Sequence, residues 1–164
     1  QGAVVDAHNA RAFGRDLARQ TVRNAQTAGE YLHEKGMKVL GERDGFTRSH
    51  QIVVDVREHG SGKAAADRLE EANIIVNKNL LPYDDQSNKG NPSGLRIGFQ
   101  EVTRRGFQKG DIKHLCGLMM DVIEGRRKPS AVKKDVTELR GGFKEVKYGF
   151  QSVEEALRYT EGHV

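Results

Sequence analysis

From about residue 11 to 35 a helical pattern recurs every three or four positions, at Phe13, Leu17, Thr21, Ala25 or Asn24, Ala28 and Leu32, with no proline between them. That period predicts one long amphipathic helix, and Gly36 stands where a C-terminal cap would end it. The period then drops to two. Residues 37–40 form a short apolar run, and residues 50–56 set Ile52, Val54 and Val56 against Gln51, Val53 and Asp55. These read as two strands, antiparallel to one another, the second with one part-polar face.

Gly60-Ser61-Gly62 opens a second helix over about 63–72, with Ala65, Leu69 and Ala72 on one side. Residues 74–77 and 95–98 read as two more strands. Between them runs a long polar connection through Pro82, Asp84, Asp85, Asn88, Gly90, Asn91 and Pro92, and loops of such length are more often functional than hairpin turns. A helix over about 110–124 aligns Ile112, Leu115, Cys116, Met119 and Ile123. After Pro129, Ser130 can cap another that carries Val132, Val136, Leu139 and Phe143, and Ser152 with Glu155 has the spacing of a capping box for a last short helix. The order describes an α+β fold: a mostly antiparallel sheet with helices packed on one face.

Composition narrows the class. With 164 residues, 36% hydrophobic and 30% charged, the chain can bury one core, which excludes long disordered, collagen-like and disulfide-scaffold readings. No uninterrupted apolar run exceeds three residues, so neither a membrane span nor a signal-peptide core is present in it. The single cysteine, Cys116, cannot close an internal disulfide and suits a reducing compartment, so a soluble, cytoplasmic protein is expected. The 27 basic and 23 acidic residues leave a net charge of only +4. Arg104-Arg105, Arg126-Arg127-Lys128 and Lys133-Lys134 are scattered with little aromatic interleaving, which favours a solvated surface over a nucleic-acid face.

Most candidate motifs have a plainer explanation. Gly60-Ser61-Gly62-Lys63 imitates a phosphate loop, but Arg57 and Ala64 stand where that loop needs glycine and a magnesium-binding hydroxyl. A glycine-rich helix start accounts for it. His8, His33, His50, His59, His114 and His163 never pair at metal-ligand spacing, so no metal site is expected. Cys116 lies on an apolar helical face and reads as core. Asp84 and Asp85, just after Pro82, read as turn residues before an acid/base pair. Arg96 is different. It sits between Leu95 and Ile97 on a strand, with Gly94 and Gly98 on either side. An unpaired buried charge there would be costly, and the planar guanidinium suits a carboxylate held by two parallel bonds. An internal salt bridge and a ligand site both remain open for it.

Three ordered segments around this arginine carry a family resemblance: residues 73–82 with Asn77-Lys78-Asn79 and Pro82, then Ser93-Gly94-Leu95-Arg96-Ile97-Gly98, then Thr103-Arg104-Arg105-Gly106-Phe107. With Gln20-Thr21-Val22-Arg23-Asn24-Ala25, Gly36 and His50…Asp55-Val56-Arg57 upstream, the stretch from about 11 to 125 resembles the C-terminal domain of serine hydroxymethyltransferase. Leu80-Leu81-Pro82 with Asn91-Pro92-Ser93 resembles archaeal members. The resemblance implies the small domain of a fold-type I enzyme that uses pyridoxal 5′-phosphate to move a one-carbon unit between serine and a reduced pterin, yielding glycine. It implies that Arg96 clamps the substrate carboxylate and that Asn79 faces the pterin. The family's Ser-Pro-Phe stretch is replaced near Ser87-Asn88-Lys89-Gly90, which leaves tetrahydrofolate and tetrahydromethanopterin both open as co-substrate.

The resemblance also implies a division of labour. The family's Schiff-base lysine belongs to a large N-terminal domain and no lysine here has its setting, so no catalytic residue is expected in this chain, which alone would be inactive. Lys78, the nearest lysine in sequence to the site, is not assigned that role. Residues 1–36 would lead in from the large domain, 37–125 would form the small domain, and 126–164 a helical extension. The full-length enzyme would be a cytoplasmic homodimer acting on serine and glycine, without nucleic-acid or membrane partners. The competing expectation is a freestanding, catalytically inert ligand-binding or interaction module derived from that family. Gln1 is not an initiator methionine, which favours the domain.

Overall fold

The computed structural model describes residues 2–161. Helix α1 (Gly2–Glu34) runs further back than its apolar stripe suggests, because nothing in residues 3–10 breaks a helix. It ends as expected. Gly36 takes a positive φ of 94°, its N–H donates to the His33 carbonyl, and Met37 N–H donates to that of Leu32. This pair of bonds satisfies the last carbonyls and seats Met37 beside Leu32 in the core.

Strands β1 (Lys38–Val39), β2 (Gln51–Asp55), β3 (Asn77–Asn79) and β4 (Gly94–Gly98) form one sheet in the order β1-β2-β4-β3. Every pairing is antiparallel. Helix α2 (Gly62–Glu71) follows β2; α3 (Gln100–Arg104) and α4 (Lys109–Ile123) follow β4; α5 (Pro129–Gly141) and α6 (Val153–Glu161) complete the chain. Val39, Ile52, Val54, Leu95 and Ile97 point from one sheet face into the core, where they meet Ala25, Ala28 and Leu32 of α1, Ala65 and Leu69 of α2, and Ile112, Cys116 and Met119 of α4. The core continues to Val132 and Val136 of α5. The fold is thus the α+β arrangement expected, with helices on one side of an antiparallel sheet. Among the described residues no helix is long and apolar enough to cross a membrane.

One buried amide ties the first helix to the far side of the domain. Asn24, 1% exposed, donates to Thr103 Oγ1 and to the Phe107 carbonyl, both at 2.9 Å. Phe150 N–H donates to Asn9 Oδ1, and the Phe150 ring packs between Phe13 and Tyr159, which holds α6 against α1.

Three further elements differ from the sequence reading. The third strand lies at Asn77–Asn79, three residues beyond the start of the apolar run. Asn73 takes a left-handed φ of 62° and Ile74 N–H donates back to the Leu69 carbonyl, so Ile74 closes α2 instead of opening a strand. Helix α5 is started by Pro129 at its first turn with Lys128 as N-cap, and Ser130 lies inside it. Proline's fixed φ and missing N–H suit that first position. The short helix α3 was not visible as a period because it is a little over one turn.

Candidate functional site

The antiparallel register assigns the sheet's second face. Val53, Arg96 and Asn77 are cross-strand neighbours, and so are Asp55, Gly94 and Asn79. Leu95 and Ile97 occupy the core face, so Arg96 stands on the opposite one, exposed. It makes none of the hydrogen bonds or ion pairs found among the described residues. Asn79 is on the same face, opposite Gly94 and therefore diagonal to Arg96, a relation that puts residues about 7–8 Å apart. The two residues singled out in the sequence are brought together.

Beyond Asn79 the chain turns back over this face. Leu81 lies on Gly94: a Cβ added there would come within 2.4 Å of Leu81 Cδ2. Tyr83 then reaches strand β2, where its hydroxyl donates to Asp55 Oδ2 at 2.7 Å. Residues 80–84 therefore form a strap across β3, β4 and β2 in turn. Asp84 closes it, its Oδ2 accepting from Leu81 N and Ser93 N, each at 2.9 Å. These bonds hold the Asp84 carboxyl below the usual carboxylate range. Asp85 caps Ser87. The two aspartates are turn formers, as their sequence context suggested. Beside the strap, Leu40, Val53, Asn79, Leu80, Leu81, Pro82 and Gln86 line an open depression of about 350 Å³.

Asp55 anchors this construction; in the sequence it figures only as part of the His50…Asp55-Val56-Arg57 segment, with no site role assigned. It is 6% exposed. Arg57 Nε lies 3.2 Å from each of its oxygens, Arg57 Nη2 is 2.8 Å from Oδ2, and Arg57 backbone N–H donates to Oδ1 at 3.0 Å. The Arg57 guanidinium also stacks 4.3 Å from the centre of the Tyr83 ring. Burial pushes the Asp55 pKa up, but bonds from Arg57 and Tyr83 outweigh it and hold the carboxyl at about 2. Burial, and then the bond to Asp55, holds the Tyr83 hydroxyl above its ordinary pKa. The available signal was the two-residue spacing of Asp55 and Arg57 at a strand end. Tyr83 carried none, because its partner is 28 residues away.

The Gly60–Gly62 turn is a packing device. Ser61 Oγ accepts from Ala64 N as the N-cap of α2, and Gly62 N–H donates to the Pro92 carbonyl at 2.7 Å. A Cβ at Gly62 would lie 2.3 Å from the Gly94 carbonyl oxygen. The glycine lets the helix start abut the strand that carries Arg96. The basic triplet after α4 is largely taken up locally, Arg126 by Asp121 and Glu124, Arg127 by Asp121 and Asp135. Among the described residues no three His, Cys, Asp or Glu gather as metal ligands.

Fold and face together define an α+β domain with helices on one side of an antiparallel sheet and, on the other, a strapped polar surface bearing an arginine unpaired among the described residues. The family model for serine hydroxymethyltransferase matches residues 3–119. The chain is 54% identical over 140 residues to the serine hydroxymethyltransferase of Methanopyrus kandleri, covering 85% of this chain and 33% of that protein. To the Archaeoglobus fulgidus serine hydroxymethyltransferase it is 45% identical over 153 residues, covering 93% and 35%. Among solved structures, the L-threonine transaldolase from Pseudomonas fluorescens in its internal aldimine state superposes with a TM-score of 0.78 at 28% identity, over 96% of this chain and 36% of that one. The chain belongs to the serine hydroxymethyltransferase family. It spans about a third of the length of the relatives it matches.

Proposed function

We propose that this chain is the C-terminal, substrate-binding domain of a pyridoxal 5′-phosphate-dependent serine hydroxymethyltransferase, an enzyme that converts serine and a reduced pterin to glycine and a methylene-pterin. The observation that carries the reading is Arg96: an exposed guanidinium on a sheet face, with no carboxylate partner among the described residues, in a chain of this family. Its paired N–H donors match the two oxygens of an amino-acid carboxylate. Holding serine there fixes its orientation before any bond is broken. Asn79, diagonal to Arg96, would hydrogen-bond the pterin, which enters beside the strap.

Pyridoxal 5′-phosphate would supply the electron sink for bond breaking next to the amino acid's α-carbon. The Gly60–Gly62 turn does not suit its phosphate, since the Gly62 N–H donates to the Pro92 carbonyl and the Gly94 carbonyl closes in on the turn. On this reading, the cofactor is bound by the two-thirds of the enzyme outside this chain. The same proposal includes a homodimer in the cytoplasm and leaves the pterin as tetrahydrofolate or tetrahydromethanopterin.

The test is Arg96→Lys in the full-length enzyme. Charge is kept and the fork is lost, so the KM for serine and the dissociation constant for glycine should rise roughly ten- to hundredfold. Near-normal glycine binding would sink the assignment.

A further inference from the structure

The Asn79 amide is aimed by the strap. Its Nδ2 donates to the Leu80 carbonyl at 2.7 Å, which leaves Oδ1 as an acceptor with no donor among the described residues. The position of the Leu80 carbonyl depends in turn on the segment that follows. Leu81 is pinned by its N–H to Asp84 and by its packing on Gly94. Tyr83 is pinned by its hydroxyl to Asp55. Asp55 itself cannot swing, because Arg57 grips both of its oxygens and its backbone belongs to a strand in the middle of the sheet.

We propose that Asp55 and Tyr83 are positioning residues for the co-substrate: the buried carboxylate anchors the strap through the Tyr83 hydroxyl, and the anchored strap orients the Asn79 amide toward the pterin. This rests on the reading of Asn79 given above. The chemistry suits an anchor. The carboxyl stays ionised at any working pH, so it remains an acceptor for the phenol, and the Arg57 guanidinium covers the ring from outside. A link that only stabilised the fold would affect both substrates alike. One that orients Asn79 affects the pterin alone and only while Asn79 is present.

Tyr83→Phe removes a single hydroxyl and keeps the ring over Arg57. In the full-length enzyme it should raise the KM for the reduced pterin about five- to tenfold while the KM for serine changes by less than about twofold. Asn79→Ala should raise the pterin KM as well, and the double variant should be no worse than Asn79→Ala alone, since the two act through one amide. An unchanged pterin KM in Tyr83→Phe, equal losses for both substrates, or additive effects in the double variant would overturn the inference and leave the role of Asn79 standing. A lowered melting midpoint in Tyr83→Phe with unchanged pterin KM would assign the tether to stability only, which also overturns it. If Asn79→Ala itself leaves the pterin KM unchanged, the reading of the site fails and the inference fails with it.

Discussion

Asp55 shows how one residue couples stability to pH. Its carboxyl is held at about 2 in the fold against 3.8 when free, so near pH 3 the folded chain binds fewer protons than the unfolded one. Stability therefore rises with pH through that range: the contribution is complete above about pH 4 and is lost as pH falls toward 2. The depression corresponds to about 2 kcal/mol. Denaturant midpoints for the wild type and Asp55→Asn should differ at pH 6 and converge near pH 2; a constant gap would show that the carboxylate charge is not the cause. Cys116 is the opposite case. Fully buried, with its pKa pushed up to about 12 by desolvation, it should resist iodoacetamide in the native protein and react on unfolding.

At the scale of elements, the strap packs on strand β4 because its first residue, Gly94, has no side chain, and α2 abuts the Gly94 carbonyl because Gly62 has none. A Cβ at Gly94 would meet Leu81 Cδ2 at 2.4 Å and the Asn79 carbonyl oxygen at 2.9 Å. The leucine end can shift and the carbonyl cannot. Gly94→Ala should cost about 1–3 kcal/mol in denaturant unfolding and loosen the strap, seen as faster amide exchange across residues 80–84. Gly62→Ala drives a Cβ against backbone oxygens on both contacts and should cost at least as much. The elements that sequence period revealed are those with a full apolar stripe, such as α1, α4 and the strand bearing Ile52 and Val54. The edge strand β3 was misplaced because Asn77, Lys78 and Asn79 are polar and the neighbouring Ile74 serves the end of α2 instead. Arg96 and Asn79 stand out in the sequence as candidates through a patterned motif of the family, and the structure sets them on one sheet face. The tether between Asp55 and Tyr83 was not legible there, since it joins residues distant in the chain through one side-chain bond with no repeating spacing.

For the whole molecule, the sheet's two faces set different tasks. The helix-covered face closes a core that runs from α1 to α5, whereas, among the described residues, the face of Arg96, Asn77 and Asn79 is crossed by the strap. If the proposed function holds, a domain that makes up about a third of its relatives' length and exposes such a face meets the remainder of the enzyme there, with the substrate between. Because Cys116 is buried, a thiol placed on the outer face would be the chain's only reactive one. Asn77, cross-strand neighbour of Arg96 and exposed on edge strand β3, is the position to use. An Asn77→Cys variant of this chain should react with a maleimide at the rate of an open surface thiol. The same substitution in the full-length enzyme should react more slowly, and more slowly still with glycine bound. Labelling is read by mass spectrometry of the peptide containing residue 77. Equal rates in the chain and the enzyme would mean that the arginine-bearing face looks onto solvent, and the site would have to be sought on another surface.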